Sequence, residues 1–154
     1  MLKYLYISVL LLLCQALTGQ NLPDPMKPKR IVNDFTGLLN SQEQSSLESK
    51  LVQFDRESST EIAVVTYDDL QGFDIADFGD LLAQKWGIGQ ADSNNGILML
   101  ISPVNHKMTI RVGYGLEGVV TDAVSKRLIE KVLSPAFRNE QYYAGIDSAT
   151  NVLI

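Results

Sequence analysis

Thiols and imidazoles are almost absent from this chain. Its 154 residues include one cysteine, Cys14, and one histidine, His106. A disulfide framework is therefore excluded, and so is a zinc site of the usual Cys/His kind. Basic residues are also in short supply. Thirteen Lys and Arg face eighteen Asp and Glu, for a net charge of −5. That balance argues against nucleic acid as a partner. No internal repeat and no low-complexity tract occur, so a solenoid or a disordered tail is not indicated. What is present is ordinary for one soluble globular domain, with 45% hydrophobic and 20% charged residues. Only oxygen ligands are plentiful, so a bound metal would be a hard cation, Ca²⁺ or Mg²⁺.

The one long apolar run lies at the start. "MLKYLYISVLLLLCQALTGQ" has Lys3, then apolar residues, then small and polar ones. This is the layout of a secretory signal peptide over residues 1–20, with cleavage expected near Thr18–Gln20. The run is short for a spanning helix. Cys14 follows Leu13, where lipidation calls for a small residue, so no lipid anchor is expected. An exported protein, periplasmic or secreted, is the expectation. Residues 21–30, "NLPDPMKPKR", hold three prolines and three basic residues and read as an extended linker. The domain is then expected over 31–154.

Within it, Ser41 with Gln44 three residues later reads as a capping box, opening a helix to about Ser58 with Leu47, Leu51 and Phe54 on one face. "EIAVVTY" (61–67) is apolar on both faces and reads as a buried strand. Asp74 caps a helix carrying Ile75, Phe78, Leu82 and Trp86. "ILMLIS" (97–102) and "KMTIRV" (107–112) are too close in sequence for a helical crossover, so they form an antiparallel hairpin with His106 in its exposed turn. Thr121 caps a helix to about Leu133. Ser134-Pro135 restarts one, and Tyr142, Ile146, Ala149 and Leu153 mark a last helical stripe. The order α-β-α-β-β-α-α implies a small mixed sheet covered by helices.

Gly113 to Gly118 read "GYGLEG", the pattern G-x-G-x-x-G. A dinucleotide site requires a parallel strand after the glycine loop and its helix, with an acidic residue at that strand's end. Only helices follow here, and the preceding strand belongs to a hairpin, so no dinucleotide is expected. The hairpin suggests a different use. Its two open ends meet near Gly96 and Gly113, so Asp92, Asn94, Asn95, Glu117 and Asp122 are expected at one edge of the sheet. Carboxylate, amide and backbone oxygens suit a hard cation. Capping and turn formation are the competing role for the same residues. The acidic stretch Asp68, Asp69, Asp74, Asp77 and Asp80 reads as a solvated helix face ahead of a second cation site. Trp86 and the Tyr142-Tyr143 pair read as core ahead of a joint aromatic contact site.

An ordered series of motifs resembles the TPM domain family: "VNDFTGLLN" (32–40), "KWGIG" (85–89), "NNGILMLIS" (94–102), "IRVGYGLEGVVTD" (110–122) and "PAFRNEQYYAGI" (135–146). The resemblance covers about residues 31–154. It implies a three-layer α/β/α sandwich with a small mixed sheet, placed on the extracytoplasmic side of a membrane. Divalent-cation binding, chiefly Ca²⁺, and acid phosphatase activity are both reported among family members. Glu117 and Asp122 stand where the family's acidic residues stand. Asn94 stands where the family often has Asp. The opening motif adds Asp34, expected at the same edge. Two functions follow as expectations. One is a cation-binding domain acting through an unknown extracytoplasmic protein partner. The other is a metal-assisted phosphatase for a phosphorylated small molecule, with Asp34 or Asp122 as nucleophile or base.

Overall fold

A computed structural model describes residues 21–89 and 94–154. Four strands form one sheet in the order β1-β2-β3-β4. They are β1 (Val32–Asp34), β2 (Glu61–Thr66), β3 (Gly96–Ser102) and β4 (Lys107–Val112). β1, β2 and β3 run parallel, and β4 returns antiparallel to β3 with Ile97 opposite Val112 and Ser102 opposite Lys107. The helices are α1 (Ser41–Ser58), α2 (Ile75–Trp86), α3 (Asp122–Leu128), α4 (Ser134–Arg138) and α5 (Tyr142–Leu153). The α/β sandwich and its hairpin are as the sequence indicates.

Strand alternation sends side chains to two cores. On one face, Ile62, Val64, Ile97, Met99 and Ile101 pack with Leu47 and Leu51 of α1, Leu128 of α3 and Ile146 of α5. On the other, Ala63, Val65, Leu98 and Leu100 meet Phe78 and Leu82 of α2. Both sheet faces are thus covered, which is why the middles of β2 (62–65) and β3 (97–101) are apolar on both sides.

Three local expectations are corrected. First, α1 is capped one residue earlier. The Asn40 side chain accepts from Glu43 N at 2.9 Å, and Glu43 accepts from Asn40 N at 2.8 Å. Second, "VND" is a strand. Glu48 of α1 accepts from Val32 N at 2.7 Å and from Ile31 N at 3.0 Å, satisfying donors on the sheet edge that no neighbouring strand reaches. Third, the first part of the expected linker, residues 22–26, is docked on the domain. Leu22 is buried in the second core, and its carbonyl accepts from Lys85 Nζ at 2.6 Å. Pro23 O accepts from Trp86 Nε1 at 2.8 Å, and Asn33 Oδ1 accepts from Met26 N at 2.8 Å. Lys85 also pairs with Asp24, holding that carboxyl below its ordinary range through a hydrogen bond and its charge.

The helical face after Thr121 is continuous but changes pitch. Thr121 caps α3 through Val124 N, as expected, and a π-helical turn spans Ile129–Leu133 before α4. Pro135 has no N–H to give Lys131, and its ring crowds that carbonyl; the wide π turn absorbs both.

Lys50 ties α1 to α5. Its Nζ donates to the Asp147 carboxylate, to Thr150 Oγ1 at 2.8 Å and to Asn151 Oδ1 at 2.8 Å, with the lysine side chain about a quarter exposed. Lys50→Met keeps the stem and removes the donors. It is expected to cost about 1–2 kcal/mol, read as a lower urea midpoint at unchanged slope.

Among the described residues no helix is long and apolar enough to cross a membrane. The expected signal segment, including Cys14, lies outside the described residues.

Candidate functional site

The hairpin's open end is a junction of three backbone segments. Gly113 N donates to Gly96 O at 2.7 Å, and Gly115 N donates to Asn94 O at 3.1 Å. A side chain at Gly113 would overlap the Asn94 carbonyl, and one at Gly96 would overlap the Ile88 carbonyl. Gly89 needs its glycine twice over, because its φ is +83° and a Cβ there would strike Gly96. By contrast, a Cβ at Gly118 meets nothing within 4 Å. Gly113 therefore serves close backbone approach, and the N–H groups of Gly113 and Gly115 turn toward the protein's own carbonyls rather than toward a phosphate.

From this junction Tyr114–Leu116 form a 3₁₀ turn, and Glu117 N donates to Tyr114 O at 3.4 Å. Glu117 and Asp122 are both exposed, and neither carboxylate has a hydrogen bond or ion pair among the described residues. Asn94 is exposed too, with a φ of 46°. Asn95 turns to the α1–β2 junction, where its amide donates to Ser59 O and its carbonyl accepts from Glu61 N. Asp92 lies outside the described residues.

Next to the junction is a cleft of about 430 Å³ between α2 and β4, reaching Gly89, Asn94 and Gly113. Arg111 crosses its wall. Its Nε and Nη2 donate to the two Asp80 oxygens at 2.6 and 2.8 Å. These hydrogen bonds, opposed by burial and helped by the charges of Asp80, Asp122 and Asp77, hold the guanidinium above its already high pKa. Arg111 is thus a fixed cation within the field of Asp122. The strand alternation shows its face but not its partner on α2, so the sequence reading missed this pair. Glu61 is a second residue it missed. Its carboxylate accepts from Gly89 N at 3.0 Å and fixes the loop entering the junction.

The fold matches known proteins. The family model for the TPM domain matches residues 32–154. The chain belongs to the TPM domain family. The solution structure of the N-terminal domain of a P. gingivalis protein is 30% identical, covering 80% of this chain and 78% of that one at a TM-score of 0.73. The N-terminal domain of a Corynebacterium glutamicum protein is 17% identical over 79% of this chain and 76% of that one, with a TM-score of 0.59, and shares the fold. No curated protein matches.

One expected site residue of this TPM domain is elsewhere. Asp34 ends β1 opposite Thr66, at the end of the sheet where β3 finishes, while Asn94, Glu117 and Asp122 sit where β3 begins. Parallel pairing of β1, β2 and β3 forces this separation. Asp34 is also fully engaged. It is buried and accepts from Leu38 N at 3.0 Å, Leu39 N at 2.8 Å, Gln44 Nε2 at 3.3 Å and Thr66 Oγ1, whose own oxygen accepts from Thr36 Oγ1 at 2.8 Å. A carboxylate so saturated is a loop anchor, with no lone pair left to attack phosphorus or draw a proton.

The acidic stretch is divided among separate tasks. Asp68 accepts from Ser102 Oγ at 3.1 Å and Val104 N at 2.9 Å, and so ties down the hairpin turn. Asp69 accepts from Gln71 N, Asp74 caps α2 through Ala76 N, and Asp80 holds Arg111. His106 is exposed in the turn, as expected. Trp86 pairs with Phe35 on one face of the sheet, and Tyr142 with Phe137 on the other, so the two form no joint site.

Among the described residues no three His, Cys, Asp or Glu side chains lie close enough to hold a metal. A cation at the junction would rest on Glu117 and Asp122 with neutral oxygens beside them. That donor set suits a hard cation held weakly.

Proposed function

We propose that this TPM domain is exported and binds a divalent cation, Ca²⁺ or Mg²⁺, at the open end of the hairpin, where it engages a protein partner. The observation that supports this reading is the backbone junction. Hydrogen bonds from Gly113 and Gly115 to the 94–96 segment fix the backbone that leads on to Glu117 and Asp122, two exposed carboxylates unpartnered among the described residues. Nearby Asp80, in contrast, is neutralised by Arg111. The layout of Met1–Gln20 supports export. With two carboxylates the affinity belongs to the weak class, a Kd of about 10⁻⁴ to 10⁻³ M, adequate where calcium is millimolar.

Titrating the isotope-labelled protein with Ca²⁺ and Mg²⁺ tests this by NMR. Saturable shifts are expected at Asn94 and over Gly113–Asp122. Glu117→Ala and Asp122→Ala should each weaken binding about tenfold, the loss of one charged ligand. Flat shifts across this segment in millimolar cation would overturn the reading. Hydrolysis of p-nitrophenyl phosphate that needs the cation and falls in both variants would extend it to the phosphatase function.

A further inference from the structure

The opposite end of the sheet carries a second groove, with a volume of about 590 Å³, within the range of small-molecule sites. It lies between the β3–β4 turn and the α4–α5 corner. His106 and Lys107 line one side. Phe137, Arg138, Glu140 and Tyr142 line the other. We infer that this groove binds a small organic monoanion, a carboxylate carried on an aromatic or aliphatic body.

Three observations carry the inference. The first is charge. Lys107 and Arg138 form no ion pair among the described residues, and Glu140 is the one carboxylate in the lining. Two cations against one carboxylate leave a surplus of one positive charge, in a protein whose net charge is −5. That surplus matches a monoanion and is a poor match for a dianionic phosphomonoester. Arg138 offers a planar fork for two carboxylate oxygens, and Lys107 a point charge. The second is the apolar wall. Phe137 and Tyr142 meet edge to face, with ring centroids 5.2 Å apart, and give the body of the ligand an aromatic surface.

The third is that both walls are prebuilt. Asp68 accepts from Val104 N and Ser102 Oγ, while its own carbonyl accepts from Asn105 Nδ2 at 2.7 Å. The corner is closed by Glu140 N donating to Phe137 O at 3.1 Å and Gln141 N donating to Ala136 O at 2.9 Å. His106 and Glu140, one on each wall, hold φ values of 50° and 56° without being glycine. Such conformations persist only where the surroundings impose them. The π turn at Ile129–Leu133 sets the rotation with which Phe137 and Arg138 arrive.

Phenylacetate is the probe, followed by NMR on the purified protein, with benzyl alcohol and phenyl phosphate in parallel. Phenylacetate should give saturable shifts at His106, Lys107 and Phe137–Tyr142, while Gly113–Asp122 stays still. Benzyl alcohol, without the charge, should bind at least about tenfold more weakly. Arg138→Gln and Lys107→Gln lie on the surface and should each weaken phenylacetate about tenfold, with the rest of the spectrum unchanged. Absence of saturable shifts would overturn the inference. So would equal binding of the alcohol, binding unaltered in both variants, or tighter binding of phenyl phosphate.

Discussion

Replacing Asp34 with alanine should unfold this protein more readily than any other single carboxylate substitution. The residue is 6% exposed and its carboxylate collects two backbone N–H groups, the Thr66 hydroxyl and an amide. Alanine leaves those donors facing a void with no acceptor in reach. Each stranded donor costs about 1–3 kcal/mol, and bonds to a charged acceptor stand at the upper end. Relaxation of the 35–40 loop lets water recover part of that, so a net loss of about 3–5 kcal/mol is expected. Urea denaturation reads it as a fall in midpoint with the slope retained. Asp34→Asn keeps the shape but turns one oxygen into a donor facing donors, so it should recover less than half of the loss. Calcium shifts at Glu117 and Asp122 should survive in whatever fraction remains folded. A stable Asp34→Ala protein that loses those shifts would reverse the assignment, making Asp34 a ligand and the loop self-sufficient.

The same residue shows where sequence reading succeeds and where it stops. The hairpin was legible because "KMTIRV" alternates, "ILMLIS" is apolar throughout, and four residues cannot cross over between parallel strands. Asp74 and Thr121 were legible as caps because capping is local, a side-chain oxygen and an N–H two or three residues on. The α1 cap was misplaced by one residue because Asn40–Glu43 and Ser41–Gln44 fit the same pattern. β1 has three residues, too few to display a period. Asp34's tie to Thr66 spans 32 residues, and Trp86's tie to Pro23 spans 63. No local pattern encodes contacts of that range. The placement of Asp34 required the strand order, and the strand order required β1. For the candidate site the outcome divides the same way. The hairpin register fixes where the chain carrying Glu117 and Asp122 sets out, at Val112 opposite Ile97, whereas Arg111 and Glu61 became visible only through partners on other elements.

Gly113→Ala should do more damage than its one methyl group suggests, and Gly118→Ala almost none. The Gly113 backbone is in an ordinary extended conformation, φ −65° and ψ 146°, so a side chain there carries no torsional penalty. The obstacle is contact. Its Cβ would fall on the Asn94 carbonyl, the same oxygen that accepts from Gly115 N, and a third neighbour, Gly96 O, lies 3.1 Å away. These are backbone atoms tied by the hydrogen bonds from Gly113 and Gly115, so they cannot swing aside as a side chain would. Overpacking of this kind costs about 3 kcal/mol or more when the neighbours cannot yield. Relief requires parting the 94–96 segment from the 113–115 segment, which breaks the hydrogen bonds that present Glu117 and Asp122. Stability and calcium affinity should therefore fall together in Gly113→Ala. In Glu117→Ala affinity alone should fall, since an exposed side chain without partners contributes little to folding. Gly118, with open space around it, supplies the control for the glycine pattern itself. Were Gly118→Ala the damaging change and Gly113→Ala the silent one, the loop would be using its glycines to admit a ligand from outside. The opposite ranking follows if the glycines exist to let two strands' ends meet.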